Sequence, residues 1–152
     1  MIKQVSYGGL NSGGLNPFKA NLTINGNNPL SKIILRCASY TTRIEFVYSD
    51  SQTFGYCYSC SGFVKNYSLD MSNKELFSLG LNGGANLIID TLEICVKDLK
   101  TLAITCMKGC DASRAINIKY HFQNYNIISF IGSFDGSFNS LAKFGVQYTV
   151  IN

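Results

Sequence analysis

The segment 141–150 alternates: Phe144, Val146, Tyr148 and Val150 fall on one side of an extended chain, and Gly145, Gln147, Thr149 and Ile151 fall on the other. Successive strand side chains point to opposite faces, so this period of two marks a strand with one buried face. The apolar run at 127–131 supplies a partner strand, and the segment 132–140 between them is rich in Gly, Ser and Asn. The pattern predicts a closing hairpin with a long tip over 132–140. Backbone N–H groups in such a tip have no ladder partner and must meet water or a polar ligand. Function is expected there.

The same period recurs along the chain. Strands are expected at 2–7, 18–24, 33–38, 43–49, 54–59, 66–71, 87–96, 99–107 and 115–122, and no window carries an apolar stripe at helical spacing long enough for a helix. Turns are expected at 25–29 and at 80–84, and the strands at 87–96 and 99–107 are expected to pair around Lys97 and Asp98, with Leu92, Ile94, Leu102 and Ile104 inward. Ten Phe, nine Tyr and fourteen Gly in 152 residues fit strands and turns. The reading is all-β, one domain over residues 1–152, with about twelve short strands. Turn spacing alone fits a sandwich, a barrel or a prism equally. The tripeptide Gly-Leu-Asn at Gly9, Gly14 and Gly80 hints at repeated units.

Charge excludes one class of partner. The net charge is +4, but the thirteen Lys and Arg are scattered and do not interleave with aromatics, so no nucleic-acid face is expected. No stretch approaches the length of an apolar membrane span. The first seven residues also lack the apolar core of a signal peptide, whereas six cysteines, at 37, 57, 60, 95, 106 and 110, favour an oxidising compartment. The expectation is a secreted protein whose signal has been removed, a cytoplasmic chain being the alternative. Two glycosylation sequons, at Asn21 and Asn66, agree, because alternation places both acceptors outward.

Cys57-Tyr58-Ser59-Cys60 and Cys106-Met107-Lys108-Gly109-Cys110 together offer four thiolates, but Cys60 and Cys106 are far apart and 101–107 reads as a strand, so no metal site is expected. A redox Cys-x-x-Cys opens a helix in a parallel α/β unit, which is missing here. Disulfides over Cys37, Cys57, Cys60, Cys95, Cys106 and Cys110 are the expectation. Cys95 shares parity with Glu93 and is read as outward-facing, a candidate for an intermolecular bond.

Catalysis finds no constellation. The one histidine, His121, lies on the polar side of a strand with no nucleophile at a matching spacing, and the nine acidic residues form no paired cluster. The glycine pairs precede no helix, so they make no phosphate cradle, and no cofactor is expected.

The closing hairpin (Ile-x-Phe-Ile-Gly at 128–132, then Leu141 to Val146), the paired-glycine segment Gly8-Gly9-Leu10-Asn11-Ser12-Gly13-Gly14 followed by Phe18, and the hairpin at 31–48 occur in this order over the whole chain. In that order they resemble the jacalin-related lectins, of the secreted animal type. The resemblance implies a β-prism of three Greek-key sheets whose hairpin tip binds sugar. It places a carbohydrate site on Gly13, Gly14, Asp135, Gly136, Ser137, Phe138, Asn139, Ser140 and Ala142. Glycines let the backbone approach a sugar closely, and Phe138 or Tyr58 offers a face for its C–H groups. A second loop, Ser39, Tyr40, Thr41 and Thr42, matches where some relatives bind another sugar.

One departure is plain. The family's loop ends in an aspartate that accepts from the sugar, but here the matching residue is Ala142 and the loop reads two or three residues longer. Asp135, Asn139 or Ser140 is left to accept in its place. The resemblance also implies that the 57/60 loop is stapled to the 106/110 loop. The functional expectation is a non-enzymatic lectin for mono- or oligosaccharides and glycoconjugates, as a homodimer or higher oligomer. The alternative is a structural or matrix protein that keeps the prism as an assembly scaffold.

Overall fold

The computed structural model describes residues 1–8, 15–38, 40–58, 60, 62, 65–83, 88–110, 115–136 and 139–151. Among them run thirteen strands: β1 (Lys3–Gly8), β2 (Leu15–Asn21), β3 (Thr23–Ile24), β4 (Asn28–Cys37), β5 (Thr41–Tyr48), β6 (Thr53–Cys57), β7 (Lys65–Asp70), β8 (Lys74–Gly83), β9 (Ile89–Asp98), β10 (Ile104–Cys110), β11 (Ile118–His121), β12 (Tyr125–Asp135) and β13 (Ser140–Val150). No helix of the described residues is long and apolar enough to cross a membrane.

The strands form three antiparallel sheets with one shared plan. In the second sheet the order is β10-β9-β8-β11, and in the third β6-β5-β4 is flanked by β7 on β4, with the two-residue β3 also paired to the start of β4. Each is a three-strand meander whose fourth strand returns to lie beside the first, the Greek-key arrangement. The first sheet, β1-β13-β12-β2, has the same plan once the chain ends are joined, because β12 and β13 are the opening hairpin and β1 and β2 complete it. The N- and C-terminal strands therefore close one sheet together, with Val5 opposite Val146.

The inner faces meet on a single core. Phe130, Phe144 and Val146 come from the first sheet, Leu79, Leu81, Leu92 and Ile94 from the second, and Ile33, Leu35, Ile44 and Phe46 from the third, all fully buried. Phe130 stacks on Phe144 and Phe46 with ring centres 5.7 and 5.8 Å apart, so aromatic faces bridge the seam between two sheets.

Several local expectations are overturned. Residues 80–83 are not a turn but the last part of β8, where Gly80 pairs with Glu93. A side chain there would meet Ile116 Cγ2, so this glycine serves close packing. Lys97 and Asp98 do not form the turn either: both belong to β9, and Asp98 Oδ1 accepts from the N–H groups of Lys100 and Thr101 while Leu102 N bonds Asp98 O. The chain thus turns later, and Leu102 and Ile104 face solvent at 61% and 44% exposure instead of packing inward.

The six cysteines are all in disulfides, as expected, but the 57/60 loop is not stapled to the 106/110 loop. The pairs are Cys37–Cys110, Cys57–Cys60 and Cys95–Cys106. Cys95 is buried and sits directly opposite Cys106 in the β9–β10 ladder, with 4.1 Å between Cα atoms, so it bonds within the chain and not to a partner.

Candidate functional site

The closing hairpin is longer in strand and shorter in turn than its composition implied. Asp135 and Ser140 are paired ladder residues, so the strands extend further into the expected tip. Asn139 takes φ 51°, a left-handed conformation that Asn tolerates better than most side chains. Asp135 and Ser140 are buried, Gly136 and Asn139 are half-buried, and Ser137 and Phe138 lie outside the described residues. The register steps from Ser133↔Lys143 to Phe134↔Leu141, so Ala142 is the bulged residue, fully buried and without a polar atom on its side chain.

The strands on either side carry the ends of the glycine segment to this tip. Gly8, the last residue of β1, pairs with Lys143, and Leu15, the first of β2, pairs with Phe134. Gly13 and Gly14 lie outside the described residues, but both anchors of their segment stand where the hairpin turns. A depression of about 360 Å³ lies beside this end, lined by Gln4, Ser6, Pro17, Gly132, Ser133 and Lys143 among others. The Ser133 hydroxyl is buried, with no hydrogen-bond partner among the described residues.

The second loop offers less side-chain chemistry. Thr41 Oγ1 lies 3.1 Å from Cys110 Sγ, and Thr42 Oγ1 donates to Arg36 O at 3.1 Å. Both threonines are buried, so their hydroxyls are committed inward. Tyr40 is half-buried, and Ser39 lies outside the described residues. Tyr58 is 45% exposed.

Four residues that the sequence did not single out, Asn16, Arg36, Arg43 and Glu45, organise the neighbouring surface. Asn16 Nδ2 donates to Cys57 O at 2.9 Å, tying the start of β2 to the end of β6. Arg43 and Arg36 both donate to Glu45, through Nε atoms at 2.9 Å, with Arg36 Nη2 adding a second bond at 3.0 Å. Hydrogen bonds from Arg36 outweigh the opposing effect of burial and, with Arg43, hold the Glu45 carboxyl below its ordinary range. Arg36 and Arg43 stand opposite one another in the β4–β5 ladder, which brings both guanidinium groups to Glu45.

A larger cleft, about 550 Å³, is lined by Phe77, Phe122, Asn124 and Tyr125 among others. Tyr125 opens β12 and Asp135 closes it, so this cleft lies at the opposite end of the prism, roughly 30 Å from the tip on strand geometry. Among the described residues Glu93, Cys95 and Cys106 lie close together, but the two sulfurs are bonded to each other and are not thiolates.

No protein-family model matches the sequence, and neither does any curated protein sequence. Solved structures do match. The Malaysian banana lectin superposes with a TM-score of 0.67 at 14% identity over 99% of both chains. A mannose-binding jacalin-related lectin from Ananas comosus matches at 0.58 and 17% over 98% of both. PirB matches at 0.68 and 12%, with the whole of this chain spanning 39% of PirB. At these identities the likeness is one of fold: the chain is a three-sheet β-prism of the kind found in the jacalin-related lectins.

Proposed function

We propose that this protein is a non-catalytic carbohydrate-binding protein whose site is the hairpin tip, with Asp135, Gly136, Asn139 and Ser140, together with the glycine segment. One observation carries this reading: Gly8 against Lys143 and Leu15 against Phe134 anchor both ends of that segment beside the hairpin tip. A monosaccharide presents hydroxyls that donate and accept at once, so it is best met by backbone N–H groups at close approach and side-chain oxygens. Asn139 is the more open acceptor, while the buried Asp135 and Ser140 act mainly by holding the turn.

Mannose and mannose oligosaccharides are the first ligands to test, since several neighbours of the same fold are described as mannose-binding. Single sites of this kind bind at about millimolar strength, roughly 4 kcal/mol, so useful avidity requires several sites and therefore an oligomer. We place the protein outside the cell, as a glycoprotein. Three disulfides and exposed sequon acceptors at Asn21 and Asn66 support that placement. The test is a glycan array with calorimetry on the positive sugars. Saturable binding lost in Asn139→Ala, with the far-UV spectrum unchanged, is expected. Silence of the natively folded protein across the array would overturn the reading and leave the prism as a scaffold.

A further inference from the structure

The Cys57–Cys60 pair differs from the other two disulfides in its surroundings. Cys37 and Cys110 are both buried. Cys95 is buried, and its bond to Cys106 has the Glu93 carboxylate within 4.8 Å, a negative neighbour that disfavours a thiolate. Only in the third pair is neither residue buried: Cys57 is half-buried and Cys60 is exposed. A cation also stands against it. Arg43 Nη1 donates to Cys57 Sγ at 3.3 Å.

That arginine is held in place by its surroundings. Glu45 accepts from Arg43 Nε at 2.9 Å, which fixes the direction of the guanidinium. It then lies over Gly55 on the neighbouring strand, where a Cβ would collide with Arg43 Nη2. Arg43 and Cys57 are themselves opposite one another in the β5–β6 ladder. In a redox Cys-x-x-Cys motif a helix N-terminus supplies the positive field that lowers one thiol's proton affinity. Here a guanidinium occupies that role beside a strand end.

We propose that Cys57–Cys60 is a thiol-exchange site, taking a low-molecular-weight thiol onto Cys60 and releasing Cys57 as a thiolate held by Arg43. The incoming thiolate attacks the exposed Cys60 sulfur. A bond forms between the two, the Cys57–Cys60 bond breaks, and its electron pair leaves on Cys57 Sγ. A second thiol then attacks the mixed disulfide, releasing the Cys60 thiol and one molecule of oxidised thiol, so that two thiols are oxidised as the cystine is reduced. The leaving group is the sulfur whose anion is stabilised, and exchange is fastest when the leaving thiol is the more acidic one. This assignment stands independently of sugar binding.

The test uses the full chain with glutathione at graded ratios of reduced to oxidised form, quenched by alkylation and mapped by mass spectrometry. Glutathione on Cys60 with Cys57 alkylated is expected, about tenfold or more ahead of any reaction at the other two pairs. Glutathione on Cys57 instead, or equally fast opening of Cys95–Cys106, would overturn the proposal. The electrostatic part is read in a Cys60→Ser chain, from the pH midpoint of Cys57 alkylation. That midpoint is expected below the ordinary thiol value of about 8.5, to rise in Arg43→Gln and to return most of the way in Arg43→Lys. A midpoint at or above the ordinary value in the chain that keeps Arg43 contradicts the assignment without need of the arginine variants.

Discussion

Cys37 and Cys110 lie 73 residues apart in sequence and 5.8 Å apart between Cα atoms, joining the end of β4 in one sheet to the end of β10 in another. The bond crosses a seam that side-chain packing and a hydrogen bond from Tyr67 OH to Cys110 O at 3.4 Å also hold. Thr41 Oγ1, 3.1 Å from Cys110 Sγ, seats the sulfur. A crosslink of that span removes much of the unfolded chain's freedom, worth about 4 kcal/mol on a loop-closure estimate, against about 2 kcal/mol for the short Cys57–Cys60 ring. The paired substitution of Cys37 and Cys110 by Ala is therefore expected to lower the stability by about twice as much as the same change at Cys57 and Cys60. Urea unfolding of the two variants under oxidising conditions checks this. Equal losses would show that the seam does not depend on its crosslink.

The buried Glu45 carboxylate accepts from two arginines. Its proton affinity is lowered in the folded state, first by the hydrogen bonds from Arg36 and then by those from Arg43, with burial opposing. The folded protein thus binds this proton less readily than the unfolded chain, and the stability it contributes is complete above the unfolded value of about 4.3 and is lost as pH falls through the lower folded value. Glu45→Gln is expected to cost about 2 kcal/mol at neutral pH. The gap to the unaltered protein should narrow below about pH 4. Denaturation midpoints at pH 7 and pH 3 measure it, and a gap that stays constant with pH contradicts the assignment.

The alternation was readable from sequence at Phe144 and Val146, which are fully buried, but it does not hold to the end of β13: Val150, expected on the same inward side, is 43% exposed. Strand patterning located β4, β5 and β9, and the apolar run at 127–131 located the middle of β12, and so most of the core. It failed where a residue's type answers to something outside its own strand. Gly80 reads as a turn, yet its missing side chain makes room for Ile116. Thr41 and Thr42 read as polar loop tips, yet Cys110 Sγ and Arg36 O bind their hydroxyls inward. The hairpin turn read too long because Ser133 and Asp135 are polar residues inside a strand. The cysteine pairing was not legible, since it depends on which sheet edges meet.

Gly80 yields a direct test of that distinction. A Cβ built on it lies 2.8 Å from Ile116 Cγ2, closer than packed carbons tolerate. If the position were a turn, alanine would be neutral. As a packed strand position, Gly80→Ala is expected to cost about 1–2 kcal/mol. Ile116→Ala combined with it should recover part of the loss, a non-additivity that identifies the contact. Additive losses in a double-mutant cycle would place the cause elsewhere.

Tyr48 is buried, donates its hydroxyl to Asn21 O at 2.5 Å and meets the Phe54 ring edge-on at 5.8 Å. Burial, with a smaller contribution from Tyr56, pushes its phenol up to about 12. The folded state therefore keeps the proton more tightly than the unfolded chain does. Stability owed to the neutral phenol is complete below the unfolded value of about 10 and is lost as pH rises toward about 12. Tyr48→Phe leaves Asn21 O without this donor and is expected to cost about 1 kcal/mol at neutral pH. It should also make the stability fall less steeply above pH 10, and remove the last phenolate to appear in a 295 nm titration. Retention of that late phenolate in Tyr48→Phe would assign it to another tyrosine and overturn the placement of the Tyr48 proton.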